Sequence, residues 1–220
     1  MITLDKRLSA VAALVRQGSR LADIGTDHAY LPVHLVQAGV CPSAIASDIG
    51  AGPLDAARRT VTESGLTSKI ALRLGDGLAT VSSGEVEDIA IAGMGGETIV
   101  AILEAAPWVQ NGGVRLILQP MTRAEDLRRW LLQNGFSVLE EHLIRDGRHL
   151  YPVLAAEHTA ATPCEDEVLI YGGFFTPEEG RPYRQMMAEH LCRRAAGLNH
   201  SGDLVGAARL IDLSELLRRM

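Results

Sequence analysis

Residues 20–32 read R-L-A-D-I-G-T-D-H-A-Y-L-P and place an aspartate, a histidine and a tyrosine close together, at Asp27, His28 and Tyr30. A carboxylate accepts hydrogen bonds or a proton, an imidazole can do either, and a phenol ring offers a flat face to a base. The apolar stretch before them, Leu21–Ile24, reads as a short strand running into Gly25. A helix follows, with Pro32 in its first turn, where a missing N–H costs nothing. Strand, glycine turn and helix is how α/β proteins seat a nucleotide-like ligand at the carboxyl end of the first strand. The turn therefore reads as a cofactor turn, a catalytic turn, or both. The simpler alternative is that Asp27 and His28 cap the helix.

Three more strand ends carry glycine or acid: Asp48, Gly75-Asp76-Gly77, and Gly93-Met94-Gly95-Gly96. A fifth predicted strand ends on Gln119-Pro120. Each alone reads as an ordinary turn or a helix cap. Together, in a parallel sheet, they converge on one edge, where such folds form their ligand crevice.

The elements that bring them there follow from periodicity. Residues 3–15 have apolar positions at helical spacing, with Thr3 as the expected cap and Gly18 as the stop. Strands are expected at Leu21–Ile24, 43–48, Ile70–Leu74, 88–92 and 114–118. A helix follows each of them except the third, which leads into a short turn. The last helix opens near Thr122, with Glu125 three residues on as a capping-box partner. Residues 136–144 and 149–156 are apolar runs around an Asp-Gly turn, a strong hairpin signal. The series predicts an α/β fold with a mostly parallel sheet. Its terminal antiparallel hairpin points to a class I, Rossmann-like methyltransferase sheet. Residues 1–157 form this expected domain. Residues 158–220 form a small helical C-terminal domain, with a helix from Pro177, a break around 197–202, and a second helix.

The 220 residues carry a net charge of −6 and a pI near 5.6, so the chain as a whole has no basic nucleic-acid footprint. A local basic face remains compatible with that sum. Its candidates are Lys6, Arg7, Arg16 and Arg20, with Arg184, Arg193, Arg194, Arg209, Arg218 and Arg219 near the other end. The bland reading of such charges is a solvated face. Cys41, Cys164 and Cys192 stand too far apart for metal-ligand spacing, and no metal is expected. The N-terminus is charged where a signal peptide needs an apolar run, and no membrane span is expected. The cytoplasm is the expected location.

Asp48 lies about 20 residues beyond Gly25, as expected of an acid bonding ribose hydroxyls. NAD and S-adenosylmethionine share that ribose. The glycine turn separates them. A dinucleotide turn needs glycines where this chain has Asp27 and Tyr30, and an acid repels a pyrophosphate. Asp23 and Asp27 instead complement a sulfonium ligand with a free amino group. Asp76 sits where an acid can accept from an adenine amino group. The residues favour S-adenosylmethionine.

The motifs D-I-G-T-D-H-A-Y-L-P, G-D-G-L, I-A-G-M-G-G and L-I-L-Q-P together resemble the TrmK family of bacterial tRNA (adenine-22-N1)-methyltransferases. The resemblance runs over residues 1–156 by motif and to the C-terminus by architecture. Met121 stands where the family pattern has Asn, and Asp48 where it often has Glu. The resemblance implies methyl transfer to N1 of adenine, with tRNA as partner and a catalytic aspartate at Asp27. His28 would orient Asp27 or touch the base. Asp23, Gly25, Asp48, Asp76, Gly77 and Gly93 are the expected cofactor side. Tyr30, Met94, Gly95, Gln119 and Pro120 are the expected substrate side. The working unit is expected to be a monomer. A methyltransferase of small molecules, or an RNA-binding module with a relict pocket, are the alternatives.

Overall fold

The computed structural model describes residues 2–220. Its sheet has seven strands in the order β3-β2-β1-β4-β5-β7-β6. The first five are Leu21–Ile24 (β1), Ala44–Asp48 (β2), Ile70–Leu74 (β3), Asp88–Gly95 (β4) and Arg115–Thr122 (β5). They pair in parallel, so their carboxyl ends share one edge. Phe136–Asp146 (β6) and His149–His158 (β7) add the antiparallel hairpin, with β7 against β5. The strand order reverses between β1 and β4, and the crevice of a doubly wound sheet opens at that point.

Two apolar layers sandwich the sheet. Lys6–Leu14 (α1), Tyr30–Gln37 (α2) and Ala51–Glu63 (α3) cover one face through Val11, Leu14, Val33 and Val61. Gly96–Glu104 (α4) and Ala124–Gln133 (α5) cover the other through Ile99, Leu103, Leu127 and Leu131. The alternation of strand side chains follows: Ala22 and Ile24 join the α4–α5 side, and Leu21 the α1–α2 side.

Glu167–Gly172 (α6), Pro177–Ser201 (α7) and Leu204–Arg219 (α8) complete the chain. They bury a third cluster around Ile170, Tyr183, Leu191 and Leu213, on which Leu132, Leu143 and Leu150 from the sheet region also pack. A fully buried ion pair of the first part is hydrogen-bonded to the second. Arg128 of α5 donates to Glu141 of β6 at 2.7 Å, and to Ile170 O and the Tyr183 hydroxyl, each at 3.1 Å. The second Glu141 oxygen accepts from the Phe174 N–H at 2.7 Å.

Several expected boundaries are corrected. Asp5, not Thr3, caps α1, accepting from the Leu8 N–H at 2.8 Å, and α1 ends at Leu14, ahead of Gly18. Thr122 opens no capping box, because β5 runs on through Pro120 to Thr122, pairing with Gly95. The helix begins instead after Arg123, whose φ is +56°. Helix α7 passes through Gly197 and stops at Gly202, in left-handed conformation.

Candidate functional site

Two cavities open on the carboxyl edge of the parallel strands, and the backbone of Gly25 lines both. The first encloses about 390 Å³. Gly25, Asp48, Asp76 and Gly77 meet there, as the sequence predicts. One Asp48 oxygen accepts from the Gly50 N–H at 2.7 Å, which fixes the carboxylate in its turn. The far wall comes from α4, by Thr98, Ala101, Ile102 and Ala105. Sequence reasoning missed this wall. These residues follow helical spacing on the side away from buried Ile99 and Leu103, a spacing that a solvated face shares. It missed Ile49 too, an apolar residue 71% exposed beside the strand-end acid.

The second cavity, about 490 Å³, brings together Asp27, His28, Tyr30 and Gln119 with Asp23 and Gly93, which were expected on the cofactor side with Asp48 and Asp76 but do not line the first cavity. Arg7 enters it from α1, a placement the sequence did not indicate. The wall between the two cavities is bare backbone at Gly25, whose φ is +76°. That φ favours glycine, and an added Cβ would also meet the Met94 methyl group, the flexible end of a side chain that would have to shift. Met94, expected on the substrate side, lines the first cavity. Gly95 and Pro120, also expected there, line neither: Pro120 is buried in the sheet opposite Met94. Gly96 is a packing glycine, because a Cβ would meet the Arg123 carbonyl.

Residues 26–29 close a tight turn, with the Ala29 N–H donating to Thr26 O at 2.9 Å. Both Asp27 and Ala29 have positive φ, +45° and +56°. Such backbone costs a non-glycine residue about 1–2 kcal/mol. Neither Asp27 nor His28 caps α2: the capping position is Ala29, without a side-chain bond. The Asp27 side chain is 70% exposed, and its carboxylate lies 3.5 Å from His28 Nε2. His28 stacks on Tyr30 with ring centres 5.1 Å apart and planes 11° off parallel. The turn thus holds a carboxylate that the fold itself does not use, beside a flat aromatic pair.

Asp23 differs. It is buried at the end of β1 and accepts from the Thr26 hydroxyl at 2.6 Å. Burial pushes its carboxyl up to about 6, against the Thr26 bond and with the Asp48 charge adding. Gln119 accepts from the Gly93 N–H at 3.1 Å, which fixes the β4 end against β5.

The basic candidates divide. Arg16 is tied to Asp88 and Arg20 to Glu87, at the amino edge of the sheet, away from both cavities. Arg184 is 1% exposed and donates to the carbonyls of Pro177 and Thr176. Arg184 is thus structural, whereas Arg16 and Arg20 are paired but part-exposed. Among the described residues no group of His, Cys, Asp and Glu is placed to hold a metal, and no helix is long and apolar enough to cross a membrane.

A mostly parallel sheet closed by an antiparallel hairpin, with acids at successive strand ends around a bare glycine, defines a class I methyltransferase. Residues 4–154 match the family model described as a methyltransferase domain. A curated Bacillus subtilis protein, tRNA (adenine(22)-N(1))-methyltransferase, is 37% identical over 86% of this chain and 82% of its own. The B. subtilis TrmK crystal structure superposes with a TM-score of 0.89 at 32% identity, over 99% of this chain and 100% of that one. Streptococcus pneumoniae Sp1610 in complex with S-adenosyl-L-methionine gives 0.81 at 35% identity, over 98% and 100%. The chain belongs to the TrmK family of tRNA (adenine-22-N1)-methyltransferases.

Proposed function

We propose that the protein methylates N1 of an adenine in tRNA, at position 22 as its relative is named for, and that Asp27 is the carboxylate that makes the transfer efficient. The observation that carries the role of Asp27 is its setting. It sits in a strained turn, exposed to the second cavity, and serves no cap or fold contact.

The residues fit S-adenosylmethionine. The first cavity offers acids for a ribose and an adenine amino group, and the Gly25 backbone admits close approach where a side chain could not fit. When bound, the cofactor supplies a methyl group whose bonding electrons stay on sulfur as the N1–carbon bond forms. Asp48 holds the ribose hydroxyls, and Asp76 accepts from the adenine amino group. Asp23 lines the second cavity beside Gly25, where its carboxylate suits a free cationic amino group. The Met94 side chain lies over Gly25 and lines the first cavity, so we assign it to the cofactor side, where it would pack against the bound cofactor, and not to the substrate.

The target N1 has an in-plane lone pair and needs no deprotonation to attack. The base ring becomes cationic as the bond forms. Asp27 accepts a hydrogen bond from the exocyclic amino group and balances that charge. His28 keeps the carboxylate turned toward the cavity, and the His28–Tyr30 stack offers a flat surface for a flipped base. Gln119 and Gly93 shape the floor. Pro120 and Gly95 act behind it, in the bulged pairing that ends β4 and β5.

A tRNA substrate supports the cytoplasm as the location. The test is mass spectrometry of nucleosides from tRNA incubated with protein and S-adenosylmethionine. The expected product is 1-methyladenosine, lost when adenine 22 is replaced. Methylation of a small metabolite with tRNA untouched would overturn the reading.

A further inference from the structure

The hairpin β6–β7 overhangs the edge where the cavities open. Leu118 near the end of β5 pairs with Leu154 in antiparallel register, so residues 149–151 project past the end of that pairing. Tyr151 and Val153 share a strand face, and Val153 packs in the α1–α2 layer. Arg7 of α1 lies over the Tyr151 ring, 5.5 Å from its centre. His149 stacks on the same ring, with centres 5.9 Å apart and planes 20° off parallel. Arg148 occupies the exposed turn beyond. The result is a continuous strip from the second cavity to the hairpin tip: Arg7, Tyr151, His149, Arg148.

Nothing in the core requires this strip. Among the described residues neither Arg148 nor His149 makes an ion pair, whereas Arg16, Arg20 and Arg115 are each matched by an acid. Asp146 is the acid of the turn, opposite His149. Arg7 donates to Asp5 at 3.1 Å, to Gln119 Oε1 at 3.5 Å and to the Met121 sulfur at 3.1 Å. Its guanidinium has five N–H donors, so two remain for a ligand. A cation fixed on an aromatic ring beside an exposed stacking pair is what a single-stranded nucleic acid recognises, by phosphate and by base.

We propose that this strip holds the RNA strand flanking the target adenine. Arg7 takes the phosphate nearest the extruded base, the His149–Tyr151 pair stacks a neighbouring base, and Arg148 meets the next phosphate. The inference rests on the tRNA reading above and assigns the surface that reading leaves open.

The experiment uses the full chain with Arg148→Ala and His149→Ala combined. The expected result is a KM for tRNA raised about tenfold or more, in line with the loss of one stacked base and one phosphate. The kcat at saturating tRNA, the cofactor Kd and the melting midpoint stay at wild-type values. The salt dependence of tRNA binding flattens by about 0.7 in the log–log slope for the lost phosphate. A KM and a salt slope equal to wild type would overturn the strip while leaving the methyltransferase reading intact. If the wild-type chain forms no 1-methyladenosine in tRNA, the functional reading fails, and the strip with it.

Discussion

Asp27 and Asp23 lie four residues apart on one turn, and their surroundings give them opposite tasks. Asp27 is exposed and held at positive φ, so the fold bears a backbone cost for a side chain it does not use. Asp27→Gly relieves that cost. The melting temperature should hold or rise by a few degrees, as about 1 kcal/mol does in a domain of this size. Methyl transfer in single-turnover assays should fall about 10²–10⁴-fold, the usual worth of a positioned carboxylate. Cofactor affinity by calorimetry should not change, and near-normal transfer would remove Asp27 from the mechanism. Asp23 is governed by burial. Its carboxyl is pushed up to about 6 in the folded chain, against about 3.9 unfolded. The protonated form therefore stabilises the free protein fully below about pH 4, and that contribution is lost as pH rises through 6. A cationic amino group beside the carboxylate favours its ionised form, so cofactor affinity should rise from pH 5 to 7 by up to about tenfold per unit. Asp23→Asn should flatten that profile; a wild-type affinity independent of pH would refute the placement.

The β/α elements were legible because each strand is a short apolar run stopped by glycine or acid, and tertiary pairing reinforces that pattern. Leu21–Ile24 and Ile70–Leu74 are as read. The errors fall where pairing overrides a local signal. Thr122 and Glu125 have capping-box spacing, yet the bulged end of β4 draws Pro120 and Thr122 into the sheet. Gly197 has low helix propensity, but α8 packs along α7 and carries the helix to Ser201. The strand-end acids of the site were legible because the parallel topology gathers them. The α4 wall and the Arg7 entry were not, because an inward face and a surface face of a helix share one periodicity. Arg128 and Glu141 were invisible for a related reason: in sequence they resemble solvated charges. Buried, they are a costly pair to break. Glu141→Gln should destabilise by about 3–5 kcal/mol in urea unfolding, because it leaves the Arg128 charge unmatched. Combining it with Arg128→Met should recover part of the loss, since no charge then remains buried. Equal destabilisation by the single and double changes would show that packing, and not the ion pair, sets the cost.

At the scale of the molecule, the same pair decides how the two parts behave. We propose a division at residues 157 and 158, with the methyltransferase domain before it and the helical domain after. The second part is no free appendage. Arg128 reaches from α5 to the Ile170 carbonyl and the Tyr183 hydroxyl, and Phe174 donates to Glu141, so both charges are satisfied only when the helices are docked. Leu143 and Leu150 of the hairpin are covered by the same helices. Undocking would expose this apolar surface and break the hydrogen bonds that tie the ion pair to Ile170, Phe174 and Tyr183. The hairpin that carries Tyr151 and His149 is thus braced by the helices on one face and by α1 on the other. The full chain should therefore melt in one cooperative transition, with calorimetric and van't Hoff enthalpies equal. The chain truncated to residues 1–157 should melt lower, and its loss of tRNA methylation should exceed its loss of cofactor affinity, because the cofactor cavity is built wholly from earlier strands and α4. Two separate transitions in the full chain, or a truncated chain as stable as the whole, would show that the helices only sit beside the sheet.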